Sequence, residues 1–437
     1  MKKLSLLIAV LCCFLFLTGI VMAAEITDPI LKKLVEKKIL TKEEAAKVMQ
    51  EMEQEKSQKV QKADEKSTAK STETASTDSK DFDKIAKALK GFKFGLLYYL
   101  SYQNGETGDM DNGTGYSQFA IKRGYFRVTK EFCPWFDAHM TLDVTTVKDP
   151  EETGDAPNNL DGSIAMRIKY LYGKFKLPDF AFFTKPYVEV GAVHMPWLDY
   201  EEHINFYRLQ DTMFIERNGN FNSADIGITF VTLLGEEMPK EYQEKVSSYY
   251  PGRYGSMSFG LYNGGGYHAS EKNQNKPFEA RLTLRPLPDV IPGLQFSYFG
   301  IWGKGNQSNA PTWTVNNVFG SFESRYVNLT GQYYWGKGQQ NGANAFDKDG
   351  YSFYTELKLY DTFKHSWNRF SIIGRYDYFN PNTDVDDSDN NRYIAGFAYY
   401  IDKPNKNMVL LDYDTVNYAK KGLSDDKRVQ LTLQVAF

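Results

Sequence analysis

From Gly91 to the last residue, apolar and polar side chains alternate one by one, in segments of about ten residues. The first reads "GFKFGLLYYLSYQ". Phe92, Phe94, Leu96, Tyr98, Leu100 and Tyr102 share one face, and Lys93, Gly95, Leu97, Tyr99, Ser101 and Gln103 the other. "WFDAHMTLDVT", "PFEARLTLRP" and "YSFYTELKLY" repeat the pattern. A soluble sandwich also alternates, but three features disfavour one. Tyr98, Tyr102, Trp335, Tyr376 and Tyr378 lie near the ends of apolar faces, as an interfacial girdle would. Long polar connections such as "NGETGDMDNGTGY" are followed by short ones such as "KPNK". No stretch of 91–437 has a helical period. The expected fold is therefore an all-β transmembrane antiparallel β-barrel of about 16 strands, with 14 and 18 as its neighbours. Barrels of 16 to 18 strands leave an aqueous channel.

The last segment, "RVQLTLQVAF", ends on an aromatic. Val429, Leu431, Leu433, Val435 and Phe437 would face lipid, and Arg428, Gln430, Thr432 and Gln434 the lumen. A closing strand of this kind must pair with the first, since an open sheet edge is not tolerated in lipid. Between these ends the weakest phase break is at Glu323-Ser324.

The N-terminal region differs in chemistry. Lys2 and Lys3 precede an apolar run from Leu4 to Met22, and a small-residue site follows. That reads as a signal peptide over 1–24, with an uncleaved anchor as the alternative. Residues 25–60 contain a capping box at Thr41-Lys-Glu-Glu44 and helical spacing, which predicts a short helical segment or coiled coil. Residues 61–90 form a charged low-complexity linker. The mature chain keeps only Cys133, so neither an internal disulfide nor a cysteine metal cluster is expected. The net charge of −3 offers no basic excess for nucleic acid. His139, His194, His203, His268 and His365 are scattered with no nucleophile motif, so no enzyme, metal site or cofactor is expected.

The connection at about 196–223, after the fifth strand, is long and rich in aromatics: Trp197, Tyr200, Phe206, Tyr207, Phe214 and Phe221. Such a loop must pack on something. It could fold into the lumen as a constriction or lie over the rim. Its ionisable groups are Asp199, Glu201, Glu202, His203, Arg208, Asp211, Glu216 and Arg217. Candidates for the inward wall are Arg123, Arg127, Arg167, Lys169, Arg281, Arg285, Arg375, Arg392 and Arg428, with Asp143, Glu356, Asp377 and Asp412 opposing them. An acidic loop facing an arginine-bearing wall would set a field across a pore; the same charges could instead pair with one another. Asp384, Asp386, Asp387 and Asp389 lack the turn glycine and closing Glu of a calcium loop, and read as hydrated surface.

Three stretches carry a resemblance: "YVEVGAVHMPWLDYEEHINFYRLQDTMFIERNG", "GLYNGGGYHASEKNQNKPFEARLTLRPLP" and "GRYDYFNPNTDVDD". They resemble the phosphate-selective porin O/P-type outer-membrane porins. That resemblance implies a homotrimeric 16-stranded barrel in the outer membrane, with a periplasmic N-terminal segment. It also implies contact with outer-membrane lipid and lipopolysaccharide, and a terminal Phe437 read by the assembly machinery. The implied function is passive diffusion of ions and small polar solutes. No lysine-dominated ladder, as a dedicated phosphate channel would need, is visible. The alternative is a sheath for an electron-transfer cytochrome; this chain has no Cys-x-x-Cys-His of its own.

Overall fold

The computed structural model of the chain describes residues 87, 89–108, 113–146, 163–359, 369–402 and 406–437. The leader, the helical segment and nearly all of the linker lie outside the described residues, as do the acidic stretch 148–162 and His365. The strands run β1 (Phe92–Thr107), β2 (Thr114–Cys133), β3 (Phe136–Thr146), β4 (Ile164–Lys176), β5 (Phe183–His194) and β6 (Ala224–Leu234). Then come β7 (Gly255–Tyr262), β8 (Phe278–Leu284), β9 (Leu294–Lys304), β10 (Thr312–Glu323) and β11 (Val327–Lys337). The last five are β12 (Asp347–Lys358), β13 (Phe370–Asn380), β14 (Asn390–Asp402), β15 (Asn407–Tyr418) and β16 (Asp426–Ala436).

Each strand pairs antiparallel with its sequence neighbours, and β1 pairs with β16, so the sheet is a closed 16-stranded barrel. Closure runs from Leu97 opposite Ala436 to Glu106 opposite Lys427. Phe437 extends it: its amide donates to the Leu96 carbonyl at 3.1 Å, and the Leu96 amide donates back at 2.8 Å. Every ladder group at the seam therefore has a partner, as a lipid-facing sheet requires. The poor phase break near Glu323 is a tight turn. There the Ser324 hydroxyl accepts the Val327 amide at 3.0 Å, the local hydrogen bond that favours Ser in turns.

Two expectations are corrected. Short helices do occur: α1 (Leu198–Ile204) and α2 (Phe214–Arg217) between β5 and β6, and α3 (Lys240–Lys245) between β6 and β7. They span 7, 4 and 6 residues, too few to print a helical period on the sequence. Connections also do not strictly alternate long and short. The end of the barrel that carries Gly91 and Phe437, here the terminal mouth, also carries residues 235–254, which include α3.

Candidate functional site: an occupied lumen

The inward wall is chemically uneven. On β9 to β13 it carries an apolar patch, Phe299, Ile301, Trp313, Val315, Phe319, Tyr334 and Phe379, set beside buried polar groups such as Gln295, Asn317, Gln332, Glu356 and Asp377. On β1 to β4 it carries Tyr99, Arg123, Tyr125, Arg127, His139, Asp143 and Lys169. Apolar side chains of the connection 195–223 are laid against the apolar patch, which removes both surfaces from water. Trp197 stacks on Phe299 at 5.4 Å and meets Phe319 edge-on at 5.2 Å. Phe214 packs edge-on to Phe379, and Gly350 leaves room for it, since a Cβ there would come within 2.9 Å of the Phe214 ring. Further along, Tyr207 and Leu209 join a second buried cluster with Tyr354, Ile373, Tyr400 and Leu410. The Tyr207 hydroxyl donates to Glu356 at 2.8 Å.

A polar skeleton fixes the same segment to the wall. Lys122 Nζ donates to the carbonyls of Leu209 at 2.8 Å and Gln210 at 2.9 Å, and Gln430 donates to the Gln210 carbonyl at 2.7 Å. Asp211 pairs with Arg392 at 3.1 Å and Arg428 at 3.2 Å. Burial would raise the Asp211 carboxyl, but Arg217, Lys122, Arg392 and Arg428 hold it well below its usual value. Arg217 pairs with Asp377 at 3.1 Å, and Arg375 joins Asp377 at 2.8 Å while donating to the Thr212 carbonyl at 3.2 Å. Arg208 bridges Glu216 and, at 3.3 Å, Glu202. Glu201 faces away from open space: it accepts from Trp197 Nε1 and from Gln332, each at 2.7 Å. Burial pushes its carboxyl up to about 7.

Beyond α1 the segment meets residues 235–254, which come from the opposite mouth. His203 stacks on Tyr249 with ring centroids 3.7 Å apart, and the Tyr250 hydroxyl donates to Asp199. Burial would raise the Asp199 carboxyl, yet His203, His194 and the Tyr250 hydroxyl hold it down to about 2. Three cavities, of about 440, 450 and 690 Å³, each have both His203 and Tyr249 in their lining. This pair of rings is the partition between them.

The wall residues singled out from sequence fall into two groups. Arg123 and Arg167 share Asp143, at 3.7 and 3.0 Å, and Arg127 lines the 440 Å³ cavity. Arg281 is instead 1% exposed beneath the segment, donating to the Pro196 carbonyl at 3.0 Å with Tyr200 over its guanidinium at 4.3 Å. Arg285 lies just past β8 at the terminal mouth, against the Tyr242 ring. Sequence reasoning missed Lys122, Asp414 and the whole of 235–254. A register shift in the β1–β2 ladder lets both Lys122 and Arg123 reach lumen groups, which strict alternation forbids. The apolar patch did leave a partial signal: "YFGIW", at the end of β9, is apolar on both faces, the mark of a strand covered on both sides.

No family model matches the sequence, and no curated protein matches it. Solved structures do. An anion-selective porin from Comamonas acidovorans is 11% identical with a TM-score of 0.50, over 79% of this chain and 100% of that one. OprB of Pseudomonas putida is 11% identical with a TM-score of 0.52, over 82% and 97%. OmpF of Salmonella typhi, in complex with daunomycin, is 11% identical with a TM-score of 0.52, over 79% and 97%. At this identity the likeness is one of fold.

Proposed function

We propose that this chain is an outer-membrane porin: a water-filled channel for passive diffusion of ions and small polar solutes, narrowed by the connection 195–223. The observation that carries the reading is the arrangement of that connection. It packs on the apolar patch of β9 to β13, is tied by ion pairs to β13, β14 and β16, and leaves a cavity of about 440 Å³ against β1 to β4. A barrel with a polar lumen and an apolar exterior belongs in lipid, and its likeness in fold to solved porins supports a channel rather than an enzyme. Assembly from three copies, contact with lipopolysaccharide and recognition of Phe437 by the assembly machinery belong to the same reading. So does a leader over 1–24, with a periplasmic segment over 25–90. A sheath around a cytochrome would need a clear lumen, which disfavours that alternative.

In planar bilayers the purified protein is expected to open ohmic channels; a folded barrel that never conducts would sink the reading. Among the loop acids, Glu202 lines the 440 Å³ cavity, whereas Glu201 and Asp211 are held by wall partners. Glu202→Gln should therefore shift the reversal potential in a salt gradient towards anions. Glu201→Gln, which removes no charge from the passage, should leave it nearly unchanged. Equal shifts would place both acids on the ion path.

A further inference from the structure

We propose that the open side of the lumen is a binding site for small organic carboxylates that carry a flat ring, an inference that rests on the channel reading of the same lumen. The site is the cavity of about 440 Å³, a size within the range of small-molecule pockets. Its charges are unequal in a way the sequence does not show. The acids at its edge are already engaged: Asp199 by Tyr250 and His203, and Glu202 by Arg208. Arg127, Lys169 and Lys406 also line it, and none of the three is ion-paired among the described residues.

What these cations have instead is aromatic rings. Lys169, only 5% exposed, holds its Nζ 4.9 Å from the Tyr125 ring centroid, 5.3 Å from that of Tyr170 and 3.4 Å from the Tyr125 hydroxyl. Lys406 lies 4.2 Å over Phe206 at the far end, and Arg127 5.8 Å from the Tyr125 ring. A ring face attracts a cation without cancelling its charge. A buried ammonium facing a cavity, with no carboxylate at ion-pair distance among the described residues, lacks a direct counterion. A carboxylate supplies it, taking charge-assisted hydrogen bonds from Lys169 and Arg127. The ring of the same solute then lies among the Tyr125, Tyr170 and Phe206 side chains that line the cavity. A bare inorganic anion would satisfy the cations and gain no contact with that aromatic lining.

The test uses the full chain with benzoate as the probe, and benzyl alcohol and inorganic phosphate as controls. Binding is followed by titration calorimetry in detergent, and block of the potassium chloride current in planar bilayers. Benzoate should bind and block; benzyl alcohol and phosphate should do so far more weakly. Lys169→Gln and Arg127→Gln should each weaken both readouts about tenfold or more, as expected for losing one hydrogen bond to a charged group. Lys169→Arg should retain them. Arg127→Gln stands as the test should Lys169→Gln not fold. Equal binding of benzyl alcohol, equal binding of phosphate, or undiminished binding in the variants would each overturn the proposal. Current without benzoate binding overturns this site and leaves the channel. Binding without current overturns the channel and leaves the site.

Discussion

Glu201 and Asp199 lie two residues apart on α1, and their surroundings drive their carboxyls in opposite directions. Asp199, with its histidines and Tyr250, is held down to about 2 and stays ionised across the physiological range. Glu201 is held by the neutral donors Trp197 and Gln332, and burial pushes it up to about 7. The packed segment therefore holds a proton that an unpacked Glu201, near its ordinary value of 4.5, would release. Stability rises with pH only where the unfolded form binds more protons; here it binds fewer. The packing is thus firmest below about pH 4.5 and weakens as pH rises through about 7. Amide protection factors over 197–205 (exchange rates corrected for intrinsic base catalysis) should be lower at about pH 8 than at about pH 5.5, and Glu201→Gln should flatten that dependence. An unchanged profile in the variant would assign the pH response to another group.

At the scale of the element, the connection 195–223 is held by complementary surfaces more than by its own helices. α1 and α2 have no side-chain cap, and helices of this length are not stable alone. Their position comes from aromatic side chains set into the apolar patch on β9 to β13. Trp197 is the largest of these and is fully buried between Phe299 and Phe319. Trp197→Ala should cost about 3–5 kcal/mol of that local packing. The barrel itself, held by backbone ladders, should remain. The expected readout is a larger, noisier single-channel conductance with an unaltered far-ultraviolet circular dichroism spectrum. A conductance identical to that of the parent would mean the segment does not narrow the ion path. Legibility at this scale is divided. The length and aromatic content of the loop announce that it packs; the face it packs on shows only as a short run at the end of β9 that is apolar on both sides.

For the whole molecule, the seam is the critical contact. β1 and β16 are the most distant strands in sequence, and their pairing alone turns a sheet with two edges into a barrel with none. Deleting 433–437 would remove the partners of Leu96 to Leu100 and leave unpaired backbone groups at membrane depth, each costing several kcal/mol. Such a chain should fail to reach the β-rich spectrum of the full protein when refolded into detergent or lipid. Recovery of that spectrum would show that closure does not depend on the terminal residues. The same closure forces all connections to one mouth or the other. That is why 235–254 can meet α1 only by entering the lumen from the terminal mouth.

The sixteen strands, their inward and outward faces, and the closing role of Phe437 are determined by the sequence itself. Period-two alternation is a local property, and each strand writes it independently of the others. The place of the long aromatic connection after the fifth strand follows from the same count. What only the tertiary structure decided is which charges meet. Asp211 reaches Arg392 and Arg428, and Arg217 reaches Asp377, across sequence separations that no spacing rule encodes. Arg281 stands in phase with the wall yet is sealed beneath the loop, while Lys122, out of phase, reaches the lumen through a register shift. The fold rests on a backbone pattern that repeats along the chain. The electrostatics of its lumen rest on contacts between distant segments, which exist only once the barrel has closed and the loop has packed inside it.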